Sequence, residues 1–325
     1  MKTVLWKRFN IELENDQIND FIKNSISYLK IDVKEKKILF LLNSIKNTKK
    51  NTEKILSSII DSIANYQVLN YYKILTSINS KETININNKG INISSLAEER
   101  YLKINKHDIL KNYNYNRELM LSKHYLPTSF FDFDFLIPIT IFDKSEIFNI
   151  HGNISSLFWF LPTYTRNEIL VKSDKSLMAK SLLELFALIK DKILFSIILF
   201  DKDETFITLS DDAISGDAFS SALIGTKAFS VNTTKIGNKL NLGIGDIMKL
   251  YIAEDKFCNP LQIIKRKRTN TLPKINSNTC TLCNICLNNC PLSAIFELNK
   301  KLYFNYNKCN KCYYCIELCP SQSIQ

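Results

Sequence analysis

Eight of the nine cysteines lie between positions 280 and 319. Cys280, Cys283, Cys286 and Cys290 precede Pro291, and Cys309, Cys312, Cys315 and Cys319 precede Pro320. Both runs read C-x2-C-x2-C-x3-C-P, 29 residues apart, so the segment is an internal repeat. Thiols this dense can form disulfides, bind zinc or hold iron–sulfur clusters. Disulfides are disfavoured in a chain with no secretory leader. Zinc sites are built from CxxC pairs, which leaves the third and fourth cysteines of each run without a role. Iron–sulfur ligation uses all eight. Three cysteines at intervals of three lie on one tight loop and can face three irons of one cube. The fourth opens a short helix, with proline suited to its first turn.

The repeated run resembles that of bacterial ferredoxins carrying two [4Fe–4S] clusters, where the fourth cysteine of each run ligates the other cluster. The resemblance implies Cys280, Cys283, Cys286 and Cys319 on one cluster. Cys309, Cys312, Cys315 and Cys290 hold the other. Lys300-Lys301 between the runs is read as a hairpin turn within residues 298–304, and residues 321–324 echo residues 292–295. The expected C-terminal fold is a small α+β unit with two short helices and two small hairpins. Many such loops carry Gly after the second cysteine; here Asn284 and Tyr313 stand there. Asn tolerates a left-handed backbone, whereas Tyr313 calls for strain or a different loop.

Other residue types offer less. Cys258 reads as a small buried hydrophobe. His107, His124 and His151 sit in separate segments, and His151 is expected in a turn. Asp132 and Asp134 alternate with phenylalanines, which places both carboxylates on one exposed strand face. Asp211, Asp212 and Asp217 surround Gly216 in what reads as a solvated polar loop. Phe158-Trp159-Phe160 reads as core.

The chain that must position these residues has 325 residues, 45% hydrophobic and 23% charged, enough for two domains with full-sized cores. The first Gly is Gly90, which excludes an N-terminal glycine-rich phosphate loop, and no GxxxxGK[ST] occurs. The net charge of +11 is spread as lysines among Asn, Ile and Leu and reads as surface charge, not a nucleic-acid site. No apolar run is long enough to span a membrane, so a cytoplasmic protein is expected.

Residues 1–262 alternate strand-like and helix-like segments, which predicts an α/β domain. Strands are expected at 3–9, 37–42, 66–74, 131–142 (interrupted by Pro138) and 194–200, with a short one at 222–225. Helices are expected at 16–29, 174–189 and 245–254, and another capped by Asn51-Thr52. Residues 263–278, with Lys265-Arg266-Lys267-Arg268, read as a basic linker that could also balance cluster charge. Residues 279–325 form the cluster unit.

The order of segments is similar to that of the family catalogued as domain of unknown function 362, in members ending in a two-cluster ferredoxin. Residues 37–43 (KILFLLN) resemble the family's KVLLKPN strand, residues 152–162 its GALKNLFGLVP segment, and Leu199-Phe200-Asp201 its strand ending in VD. Residues 220–232 follow its LLASDDPVALD segment. The family's Lys-Pro pair is Leu41-Leu42 here, its Lys-Asn pair Ser155-Ser156, and its PKLKTH residues 138–143 without lysine or histidine. The resemblance implies an α/β scaffold that has lost most of its cleft charges and keeps Asn43, Gly152 and Asp201.

The sequence is thus read as a two-[4Fe–4S] protein passing single electrons between redox partner proteins. One alternative is an oxidoreductase whose α/β domain binds a substrate. Another is a docking or regulatory module with structural or redox-sensing clusters.

Overall fold

The computed structural model describes residues 2–9, 15–32, 36–43, 50–67, 71–76, 92–95, 99–105, 107–109, 119–172, 174–201, 205–253 and 272–325. Cys258 and the basic run 265–268 lie outside them. From the N-terminus, β1 (Lys2–Phe9) leads to α1 (Asn15–Tyr28), β2 (Lys37–Asn43), α2 (Lys50–Gln67) and β3 (Tyr71–Thr76). β4 (Asn92–Ser95), β5 (Tyr101–Ile104) and β6 (His124–Pro127) precede a one-turn helix, α3 (Ser129–Asp132). Next come β7 (Phe135–Ile141), β8 (Asp143–Ser145) and β9 (Asn149–His151). α4 (Asn153–Ser156) runs into a 3-10 turn (Leu157–Phe160), then α5 (Thr163–Leu170) and α6 (Lys175–Ile189). β10 (Ser196–Asp201), β11 (Thr205–Ser210), α7 (Ala213–Leu223), α8 (Asn232–Lys239) and β12 (Leu250–Ala253) complete the body. The C-terminal unit carries α9 (Ile285–Asn288), β13 (Ile295–Leu298), β14 (Lys301–Phe304) and α10 (Tyr314–Leu318).

An eight-stranded sheet, ordered β12-β1-β11-β10-β7-β2-β3-β4, spans the body. Within it only β11 runs against the other strands. The central strands are continuous apolar runs because helices cover both faces. Side chains alternate along β2. Ile38, Phe40 and Leu42 pack with Ile18, Ile22, Ile59 and Ile63 of α1 and α2, while Leu39 and Leu41 face α6 and the 3-10 turn. A third cluster joins Val4, Trp6, Ile198 and Phe206 to Phe219 and Leu223 of α7. The result is three layers with the sheet in the middle.

Several expected elements change. Residues 66–67 close α2, and the strand starts at Tyr71. Asn51 and Thr52 lie inside the first turn of α2, and the Thr52 hydroxyl donates to Asp201 (2.6 Å) instead of capping. Asp132 ends α3 and Asp134 precedes β7, its carboxylate accepting from the Lys37 N–H (2.8 Å), so they share no strand face. Pro138 sits in a central strand. It is tolerated because the β7–β10 ladder breaks there: Leu136 pairs with Ile193 and Ile139 with Ile197, leaving one extra residue opposite Pro138. Residues 222–225 form no strand; they end α7 and pass through Gly225 at φ 72°. Residues 247–253 are a 3-10 turn and edge strand β12, not a helix.

Glu184 shows how α6 is fixed against the chain before β6. Its buried carboxylate accepts from His124 Nε2 (2.9 Å) and from the N–H groups of Met120 (2.5 Å) and Leu121 (3.3 Å). Glu184→Ala strands three donors, two of them buried, and urea unfolding should show a loss of about 3 kcal/mol. Glu184→Gln, which keeps an acceptor oxygen, should lose less.

Candidate metal centre

Three thiols can converge from one short loop only where the backbone turns out of the right-handed helix. Both cysteine runs do this at the same places. Leu282 and Asn284 in the first run have φ of 52° and 56°; Lys311 and Tyr313 in the second have 57° and 58°. Ser293 (47°) and Gln322 (51°) repeat the match after the fourth cysteines. Tyr313 therefore adopts the same left-handed conformation as Asn284, and each stands directly before a short helix, α9 or α10. The fourth cysteines match too. Cys290 Sγ accepts from the Ala294 N–H (3.2 Å) and Cys319 Sγ from the Ser323 N–H (3.3 Å).

The turns and strands between the runs hold this arrangement. Asn299 and Lys300, both with positive φ, form the two-residue turn of the β13–β14 hairpin, one position earlier than the expected Lys300-Lys301. Lys274 and Gln325 exchange backbone hydrogen bonds (2.8 and 3.0 Å), and Ile275 pairs antiparallel with Ile324. Cys286, Ile295, Leu302 and Ile324 make a small core between them.

Two small cavities result between these elements. Cys280, Cys283, Cys286 and Cys319 line the first; Cys290, Cys309, Cys312 and Cys315 line the second. Each cavity thus takes three thiols from one run and the fourth from the other. Among the described residues, no three His, Cys, Asp or Glu side chains are grouped as a single metal ion requires. Burial raises the Cys286 thiol pKa, pushes Cys312 up to about 11 and raises Cys315 further. Burial also acts upward on Cys319, but hydrogen bonds from the Ser321 hydroxyl and from backbone N–H groups outweigh it, leaving that thiol below its ordinary value. Metal binding at the buried set must displace protons.

The second cavity abuts the body. Tyr314 is buried to 2% exposure, its ring edge-on to Phe158 (centroids 5.8 Å) and tilted over Trp159 (5.9 Å). Its hydroxyl accepts from Arg166 Nη1 (3.1 Å). Asn310 Nδ2 donates to the Leu170 carbonyl (2.9 Å), and Cys312 and Leu318 pack on the body's core. Phe158 and Phe160 are core, as their composition suggested, whereas half-buried Trp159 faces the cysteine loop. Sequence reasoning missed Tyr314; one aromatic between two cysteines carries no periodic signal.

The residues that the family likeness singled out in the body are committed to internal bonds. Asn43 Nδ2 donates to Ser156 Oγ (2.6 Å) and its oxygen accepts from the Ile141 N–H (2.8 Å). Asp201 accepts from Thr52 and Thr205 (2.6 and 2.9 Å). A Cβ on Gly152 would lie 2.6 Å from the Asp217 carboxylate. The three acids expected in a polar loop are split. Asp211 accepts from the Thr3 N–H (2.9 Å), Asp212 caps α7, and Asp217 lies inside α7, fully buried. Asp211 and Asp212 line an open groove with Lys2, Lys190, Asp191 and Asn241. His107 is exposed, His124 is bound to Glu184, and His151 is buried at the end of β9 with its ring 6.1 Å from Trp159, not in a turn.

Residues 272–320 match the 4Fe–4S dicluster domain family. The match supports [4Fe–4S] binding and an iron–sulfur electron-transfer role for this segment. No curated protein matches the chain. Among solved structures, a Thermotoga maritima protein aligns at 11% identity and a TM-score of 0.42, over 61% of this chain and 54% of that one. The chain therefore spans about half the length of that protein. Among the described residues, no helix is long and apolar enough to cross a membrane.

Asp217 gives the body a pH signature. Burial raises its carboxyl pKa to about 7, against the pull of hydrogen bonds from the Asn153 and Ile154 N–H groups; the nearby Asp212 charge adds to the rise. A raised folded-state value means stability is fullest below the unfolded value of 3.8 and falls as pH rises towards 7. Denaturant titrations from pH 4 to 7 should show wild type losing ground to Asp217→Asn by about 1 kcal/mol per pH unit. Parallel curves would place the titration elsewhere.

Proposed function

We propose that the protein binds two [4Fe–4S] clusters and passes single electrons between redox partner proteins. One ligand set is Cys280, Cys283, Cys286 and Cys319; the other is Cys309, Cys312, Cys315 and Cys290. The observation that carries the reading is the crossed lining of the two cavities, four thiols in each. The surroundings fit the group. The walls between the thiols are apolar, with Ile275, Leu302 and Ile324 in the first cavity and Ala294, Ile295 and Phe304 in the second. The N–H donors on Cys290 and Cys319 favour thiolate over thiol. When bound, a cluster supplies a one-electron couple whose potential follows hydrogen bonding, burial and nearby charge. The chain's own residues hold that couple rigidly, exclude water from one side and keep the two sites together in one small unit.

Residues 1–262 are read as a divergent form of the domain of unknown function 362 scaffold, joined by the linker 263–278 to the cluster unit 279–325. Here the body serves as the surface on which the second cysteine loop is seated. A substrate-binding role is the weaker reading, because Asn43 and Asp201 are spent on internal bonds.

Anaerobically purified protein should contain about eight iron and eight sulfide per chain. Cys319→Ala should remove the same half of the signal as Cys280→Ala, and Cys290→Ala the same half as Cys309→Ala, read by iron content and by electron paramagnetic resonance of the reduced protein. Grouping by run instead, with Cys290→Ala behaving like Cys280→Ala, would refute the crossed assignment. Zinc without sulfide would remove the electron-transfer reading altogether.

A further inference from the structure

The two cavities have unlike surroundings. On the loop of the first, Cys283 is exposed and Leu282 is 38% exposed beside it. The second is covered by the body through Tyr314, Asn310, Cys312 and Leu318. Behind Tyr314 stands Arg166, half-buried on α5. Its Nη1 donates to the Tyr314 hydroxyl (3.1 Å) and its Nη2 to Thr163 Oγ1 (3.2 Å). Its Nε is buried and meets no hydrogen-bond acceptor among the described residues. No carboxylate among those residues forms an ion pair with it; Glu99, the acid that shares its neighbour Tyr101, is bound to Lys73 at 2.7 Å.

A half-buried guanidinium without a counter-charge is a cost that some nearby negative charge must offset. The wall of the second cavity stands one tyrosine ring away, because Tyr314 both lines that cavity and binds Arg166. An oxidised [4Fe–4S] cluster with four thiolates carries about −2, and reduction adds one more negative charge. A fixed cation favours the reduced form. Glu146 opposes it, acting on Tyr313 of the same loop.

We propose that Arg166 is a positioning residue for the body-facing cluster site, acting through Tyr314, and that its charge raises that site's reduction potential relative to the other one. This rests on the two-cluster reading above. It gives the relay a direction: an electron arriving from solvent at the Cys283 side comes to rest on the side of the body.

The test is a redox titration of the cluster-loaded protein followed by electron paramagnetic resonance. Wild type should show two one-electron steps. Arg166→Gln should lower one of them by on the order of tenfold in the reduced-to-oxidised ratio at fixed potential, about 59 mV for one electron, and leave the other in place. Arg166→Lys, which keeps the charge, should retain most of the wild-type value. In a Cys283→Ala background, which leaves the body-facing ligand set intact, the surviving step should be the one that moves. Should Arg166→Gln fail to fold, Tyr314→Phe keeps the ring, frees the guanidinium and should shift the same step the same way. Two loaded clusters with neither step moved, or Arg166→Lys shifting as far as Arg166→Gln, overturns the proposal alone. A wild-type protein lacking two sulfide-bearing clusters overturns the earlier reading with it, before any variant is made.

Discussion

The left-handed turns inside each cysteine run are the constraint on which the C-terminal unit depends. Such a conformation costs about 1–2 kcal/mol for most residues with a side chain, less for Asn, and Leu282, Lys311 and Tyr313 adopt it beside Asn284. No run of helix or strand brings thiols three apart to face one point. After Asn284 and Tyr313 the chain enters the short helices α9 and α10, and each helix carries the fourth cysteine away from its own loop. The crossed lining of the cavities follows from this path. Under the iron–sulfur reading, ligand bonds offset the strain, in the same way that metal binding supplies folding free energy elsewhere.

The body resolves a different tension. In an open α/β sheet, the carboxyl ends of strands at a change of strand order form a crevice, the usual place for a ligand. Here that place is beside Asn43 of β2 and Thr140 of β7. The segment that follows β9 fills it. Asn153 bonds Thr140, Ser196 and the Ala213 carbonyl, and its N–H, with that of Ile154, sits on Asp217. Ser156 bonds Asn43. So anchored, the 3-10 turn directs Phe158 into the core and Trp159 towards Tyr314. The crevice has become the foundation of a seat for the second cysteine loop.

What the sequence revealed follows from which signals are local. Cysteine spacing is local, and it located both cavities. The β13–β14 turn was legible to within one residue, and the apolar runs of β2 and β10 were legible because strands buried on both faces are uniformly apolar. Residues 213–223 were not. Asp211, Asp212 and Asp217 around Gly216 read as a solvated polar loop, yet residues 213–223 are helix α7, with Ser215, Ser220 and Ser221 buried and bonded to Asp212, Thr208 and the Asp217 carbonyl. Its small residues let α7 lie close on β10 and β11; a Cβ on Gly216 would come within 3.4 Å of Ser196 Oγ and Ser210 Cβ. Residues 245–254 read as a helix, yet residues 250–253 pair with the edge of β1 as strand β12. The joint through Tyr314 and Arg166 links positions 148 apart in sequence, and no short-range pattern encodes such a pair.

Charge, too, changes meaning once the cavities are in view. The C-terminal unit holds five lysines against two glutamates in residues 272–325. Two oxidised clusters would add about −4 and bring that unit close to neutral, so its basic composition need not signal a nucleic-acid or membrane surface. Exposed lysines at the hairpin tip and on the loops are screened by salt within about 10 Å. They act weakly, Lys308 and Lys311 on the second cavity's own loop included. Arg166 differs because it is half-buried and held against one cavity by a hydrogen bond through an aromatic ring, where screening is poor. Of the cations described around the unit, it is therefore the one placed to make two otherwise repeated sites unequal, and inequality between neighbouring one-electron sites is what gives a relay its direction.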